Sequence, residues 1–138
     1  ILIMVKVSYR KKTKNIPRRY LAGLKGKERR KQIKSILTHK ARPKVKGFKS
    51  RKSSWVQKFE KKYGPIKTYQ QISQKTGIPS EALKAVVRKG RGAYYSSGSR
   101  PNQTAESWGK ARMYSYIMGG PTRKIDNHIT KKYKVKFD

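Results

Sequence analysis

Three groupings in this 138-residue chain are made of residue types that do chemistry in other settings. Asp126 and His128, taken with the serines at Ser96, Ser97 and Ser99, contain the ingredients of a nucleophilic set. Such a set works only when three side chains converge in space, and two residues in one segment give no sign of that. The expectation is a protein without catalytic residues. Gly90-Arg91-Gly92 followed by Ser96-Ser97-Gly98-Ser99 has the glycine and hydroxyl content of a phosphate-cradling loop. It lacks the Gly-Lys-Ser/Thr ending and no strand leads into it, so it reads as turn chemistry. His39 and His128 are the two histidines, cysteine is absent and acids are few. Neither a metal site nor a cofactor is expected.

What remains is charge. Thirty-eight Lys and Arg face six Asp and Glu, for a formal net charge of +32. Like charges at that density oppose a compact state, and solubility asks for far less. Phosphates or an acidic protein surface must neutralise them. Residues 1–63 hold twenty-three of the cations and two acids, Glu28 and Glu60; residues 64–138 hold fifteen and four. The candidate contacts for a polyanion or acidic partner are Arg10, Lys11, Lys12, Arg18, Arg19, Arg29, Arg30, Lys31, Arg42, Lys44, Lys49, Arg51 and Lys52. Tyr9, Tyr20, Phe48 and Trp55 are interleaved with them. Phosphate contacts from such a stretch give affinity that falls steeply with salt and carries no sequence information.

The elements that must position these residues are short. Val5, Val7 and Tyr9 alternate with Lys6, Ser8 and Arg10, and Tyr133, Val135 and Phe137 alternate with lysines, the period-two pattern of a half-buried strand. Two short terminal strands are expected, paired within the chain or with a neighbour. Pro17 suits the first turn of a helix over 17–22 that Gly23 stops. Ile33, Ile36 and Leu37 give residues 27–39 one apolar helical face. Residues 42–52 have no period and read as extended. Ser54 with Gln57 forms a capping signature for a helix carrying Trp55, Val56, Phe59 and Tyr63, closed by Gly64-Pro65. Five apolar residues at the start, Ile1 to Val5, are too few to span a membrane or form a signal segment.

Thr68 with Gln71 opens a helix over 69–76, Gly77 turns the chain, and Leu83, Val86 and Val87 face inward from a helix over 80–89. Gly90 to Gly92 is expected to break that helix, and Thr104 to cap another over 105–118 that Gly119-Gly120-Pro121 ends. The pair around Gly77 has helix-turn-helix spacing. In DNA-reading versions the second helix enters the major groove, but Ser80, Glu81 and Lys84 are a poor base-reading set, and a plain structural corner has the same spacing. The expected architecture is mainly α: a basic, partly extended N-terminal arm over 1–63, a compact helical domain over 64–128 with the helix-turn-helix-like corner, and a basic C-terminal strand over 129–138.

The most distinctive run is Gly90-Arg91-Gly92-Ala93-Tyr94-Tyr95-Ser96-Ser97-Gly98-Ser99-Arg100-Pro101-Asn102-Gln103-Thr104, followed by Ser107-Trp108-Gly109-Lys110-Ala111-Arg112 and Gly119-Gly120-Pro121. With Arg18 to Leu24, Lys31 to Ile36 and Phe48 to Trp55, it resembles a family of short basic proteins of unknown function from large DNA viruses, notably those of algae. Related runs occur in tailed phages of marine bacteria. The resemblance implies a non-enzymatic virion component, a minor capsid or cement protein whose arm binds acidic capsid surfaces or packaged DNA without regard to sequence. A histone-like or ribosomal-type packaging protein is the alternative. Its partners would be other capsid proteins and DNA; its location, the capsid or its inner face. Trp55, Phe59, Tyr94, Tyr95 and Trp108 are the expected apolar anchors. Within the run, Gly90 and Gly92 would let the chain double back, setting Tyr94 and Tyr95 against Trp108 and stacking Arg112 on the same helix face. That arrangement reads as a structural core or as a docking pocket.

Overall fold

A computed structural model describes residues 3–45, 53–97, 99 and 101–137. The fold is mainly helical, with seven α-helices and a two-stranded N-terminal sheet among the described residues. The chain divides into two compact units, each drawn from two stretches: Ile1–Ser50 with Gly92–Ala105, and Arg51–Arg91 with Glu106–Asp138. A single cut near residue 63 does not describe this division, because the distinctive run around Tyr94 folds with the basic N-terminal residues.

The first unit opens with a hairpin. Strand β1 (Met4–Tyr9) pairs antiparallel with β2 (Lys12–Pro17), in a register that sets Val5 opposite Ile16, Val7 opposite Lys14 and Tyr9 opposite Lys12. The expected first strand is present, and its partner is the segment immediately after it. A two-residue turn joins the strands, with Arg10 at φ 55°, a left-handed conformation that costs a side-chain-bearing residue on the order of 1–2 kcal/mol. A 3-10 turn over Arg18–Tyr20 follows, then α1 (Gly26–Leu37). Helix α1 buries Ile33, Ile36 and Leu37 with Gln32 and Ser35, and its other face is basic. Val7, Ile16, Tyr20, Leu21, Leu24, Val45 and Tyr94 are also buried. Residues 39–45 are without regular structure, as expected of the stretch from 42 onward; Phe48, Lys49, Arg51 and Lys52 lie outside the described residues.

The second unit holds α2 (Ser54–Tyr63), α3 (Tyr69–Thr76), the larger part of α4 (Ser80–Ser97), α5 (Ala105–Ile117), α6 (Thr122–Ile125) and α7 (Asn127–Lys132). The α2 cap is one residue earlier than expected, with Trp55 N donating to Ser53 Oγ at 3.3 Å. Thr68 caps α3 as its spacing indicates, accepting from Gln71 N at 3.2 Å, and Gly77 ends it at φ 76°. Ile72, Ile78, Leu83, Val86 and Val87 from this corner are buried with Phe59, Met113, Tyr114, Tyr116, Ile117 and Ile129.

Two expectations fail on glycine and on alternation. Helix α4 runs unbroken through Gly90 to Gly92. A Cβ on Gly90 would sit 2.6 Å from Gly109 Cα, and one on Gly109 would sit 2.7 Å from the Val87 carbonyl oxygen. These glycines permit backbone contact between α4 and α5, a use of the missing side chain as ordinary as a turn. At the C-terminus residues 135–137 form no strand. Ile129 lies in α7, Tyr133 follows four residues later at helical spacing, and Lys134 at φ 51° turns the chain so that Val135 is buried. Phe137 then packs edge-on against Tyr116, with ring centroids 5.2 Å apart.

Candidate nucleic-acid interface

The basic residues of the first unit fall into two groups with different partners. One group terminates helices. The last carbonyls of a helix carry unsatisfied acceptors and partial negative charge, and successive carbonyls at the end of α4 are taken by three basic side chains. Arg42 Nη2 donates to the Tyr94 carbonyl at 2.6 Å, His39 Nδ1 to the Tyr95 carbonyl at 2.8 Å, and Lys14 Nζ to the Ser96 carbonyl. Lys12 Nζ reaches the Leu37 carbonyl at the end of α1, at 3.5 Å.

Arg42 was expected to meet a polyanion. It is instead 5% exposed, with Nη1 donating to the Ser35 and Lys40 carbonyls and its guanidinium 4.8 Å from the Tyr94 ring centroid. Burial pulls its pKa below the ordinary value, opposed by Tyr94, Tyr20 and Tyr95. Arg42 is a structural residue, and so is the aromatic beside it. The Tyr94 hydroxyl accepts from the Arg42 backbone N–H at 2.7 Å and donates to the Gln103 carbonyl at 2.9 Å. Asn102 completes the clasp, its side chain bonding both the backbone N–H and the carbonyl of Val45 at 2.7 and 3.0 Å. Tyr94 and Asn102 of the distinctive run thus tie residues 42–45 into the first unit, through Arg42 and Val45 rather than the expected Trp108 and Arg112.

The second group lines a groove. Arg10 from the hairpin turn meets Lys27, Arg30, Lys31 and Lys34 from α1 around a cleft of about 420 Å³ that Ser8, Tyr9 and Ile33 also line. The Arg10 guanidinium lies 5.5 Å from the Tyr9 ring centroid and the Lys34 ammonium 5.7 Å. Lys27, Arg30, Lys31 and Lys34 follow the i, i+3, i+4, i+7 spacing of one helix face, opposite buried Ile36. The sequence of this unit holds one carboxylate, Glu28, against nineteen Lys and Arg.

Three of the expected contact residues, Arg10, Arg30 and Lys31, are therefore brought together, with Lys27, Lys34 and Tyr9 added. The helical stripe was the signal that could have found the two lysines. Arg18 and Arg29 line a separate cleft of about 250 Å³ with Val5 and Leu21. Lys11 and Lys44 are exposed, and Arg19 lies over the Tyr20 ring at 5.6 Å.

The apolar anchors divide too. Phe59 and Tyr94 are buried in their own units. Trp55 is half-buried, Lys58 stands 4.4 Å over its ring, and a Cβ on Gly120 would come within 2.7 Å of it. Tyr95 is 41% exposed and meets Tyr94 edge-on at 5.0 Å. Trp108 is half-buried. Arg112 forks onto buried Asp126 at 2.7 and 2.8 Å, the geometry of a bidentate ion pair, in place of the expected stacking on Trp108.

Among the described residues, no three His, Cys, Asp or Glu gather to hold a metal ion, and no helix is long and apolar enough to cross a membrane. The chain belongs to a family of unknown function, DUF5824, whose pattern matches residues 17–133. No curated protein and no solved structure matches it.

Proposed function

We propose that this chain is a non-enzymatic protein that holds nucleic acid through its sugar-phosphate backbone, without reading sequence, inside the particle of a large DNA virus. The observation that carries the binding is the five-cation groove in a unit whose sequence offers one carboxylate. The particle setting rests on the resemblance of the run from Gly90 to Thr104. Phosphates supply the counter-charge that the unit itself lacks, and release of condensed cations from the nucleic acid drives association. The test is a salt titration of the whole chain against labelled random-sequence DNA. Log affinity falls linearly with log salt, and unrelated sequences bind alike. Equal affinity at about 50 and 200 mM salt, where phosphate contacts weaken by orders of magnitude, contradicts the proposal.

A second reading, a cement protein seated on coat proteins, is favoured by a different observation. Ile3 and Met4 are 58% and 47% exposed at the start of β1, a strand paired on one side only among the described residues. Exposed apolar side chains on an open edge suit strand addition by another protein. Gentle release of the genome from purified particles separates the readings. The first has the chain leaving with the DNA, and more completely as salt is lowered. The second has it staying with the shell.

A further inference from the structure

We infer that the groove between β1 and α1 is a site for single-stranded nucleic acid, with phosphates on Arg10, Lys27, Arg30, Lys31 and Lys34 and one base stacked on Tyr9. This inference rests on the nucleic-acid reading above and narrows it. Proteins that hold single strands without sequence preference combine a basic groove with aromatic faces on which bases stack, and both components are present here within one cleft. Arg10 and Lys34 sit beside the Tyr9 ring at 5.5 and 5.7 Å, near the outer range of a cation–π contact. An arriving phosphate offers both a stronger partner, and a base then takes the ring.

The size of the cleft points the same way. At about 420 Å³ it is of the scale that receives small molecules, which suits a nucleotide unit. A duplex keeps its base faces stacked on one another and presents none to Tyr9. An acidic protein segment matches the cations and leaves the ring without a flat partner.

The experiment compares the whole chain with four variants, using a labelled oligothymidylate of about fifteen residues, a duplex of equal length and polyglutamate as probes. Tyr9→Leu lowers oligothymidylate affinity about five-fold or more, the factor for one lost base–aromatic stack, whereas Tyr9→Phe binds like wild type. Arg30→Ala with Lys31→Ala reduces the salt slope by about 1.4, at about 0.7 per lost single-strand phosphate contact. Lys131→Ala with Lys132→Ala on α7 removes equal charge from the other unit and leaves the Tyr9 effect in place. Circular dichroism melts confirm that the variants are folded.

Wild-type binding of the oligothymidylate that neither groove variant weakens beyond the α7 control overturns the groove assignment alone. Selective loss of polyglutamate binding by the groove variants overturns it in favour of a protein partner. Equal losses for duplex and single strand in Tyr9→Leu overturn the stacking claim. Failure of the wild-type chain to bind either nucleic acid at about 50 mM salt overturns the wider reading along with it.

Discussion

The two units hold equal numbers of Lys and Arg, nineteen each, and differ in what those cations face. The second unit has five carboxylates to the first unit's one. Within it Asp126 takes Arg112 in a forked ion pair, and Glu106 meets Arg91 at 2.9 Å. That unit also has the larger buried cluster, in which Phe59 packs against Tyr114 with centroids 4.8 Å apart. The first unit uses backbone carbonyls as the internal acceptors for its cations, and the ends of α1 and α4 receive Lys12, Lys14, His39 and Arg42. Helix ends accept only a few such partners. Among the described residues, five of its other cations converge on one groove. Cation count is therefore a poor guide to binding; the supply of internal anions decides which cations face outward.

The largest effect expected from breaking this contrast is at Arg42. Arg42→Ala strands the carbonyls of Ser35, Lys40 and Tyr94 and removes a buried charge-assisted network, costing about 3 kcal/mol. Hydrogen exchange then rises at α1 and residues 92–105, and α2 and α3 keep their protection. A loss of protection concentrated in α2 and α3 would place Arg42's role outside the first unit.

A pair of glycines two residues apart sharpens the comparison with opposite signs. Gly90→Ala forces α4 and α5 apart at a backbone contact and costs about 2 kcal/mol, an ordinary overpacking penalty. Gly92→Ala meets nothing within 4 Å inside the same helix, and gains about 0.5–1 kcal/mol from helix propensity. Urea melts of the two variants read both changes.

The smallest effect is confined to alkaline solution. Burial raises the pKa of Tyr114 and Tyr116 above the ordinary tyrosine value. The native state then holds these protons more tightly than the unfolded chain. The stability they contribute is fully present below about pH 10 and is lost as pH rises through the folded-state values. Thermal midpoints fall above about pH 10, and Tyr114→Phe makes that fall shallower. An unchanged slope in the variant would remove Tyr114 from the cause.

Much of this was legible in the residues, and the failures share a physical form. Thr68, Gly77 and the apolar spacing of Ile33, Ile36 and Leu37 mark helix ends and faces through local chemistry alone. Strand β2 escaped because the two positions that share a face with buried Ile16 are Lys12 and Lys14, whose ends satisfy carbonyls distant in sequence, and because its turn, Arg10-Lys11, contains no Gly, Asn or Asp. The break expected at Gly90 failed because a glycine chosen for close helix contact looks the same in sequence as one chosen for a turn. Tyr133, Val135 and Phe137 alternate like a strand, but helix α7 and the turn at Lys134 set their directions. The basic stripe on α1 could be read from spacing. Its opposite wall, Tyr9 and Arg10, is placed by the hairpin and could not.

The most direct test of the account is hydrogen exchange of the full chain, measured by mass spectrometry with and without a saturating single-stranded oligonucleotide. The account predicts new protection in residues 4–12 and 26–37, which carry the two walls of the groove, with residues 106–137 unchanged. Protection confined to residues 106–137, or spread evenly over both units, would contradict it.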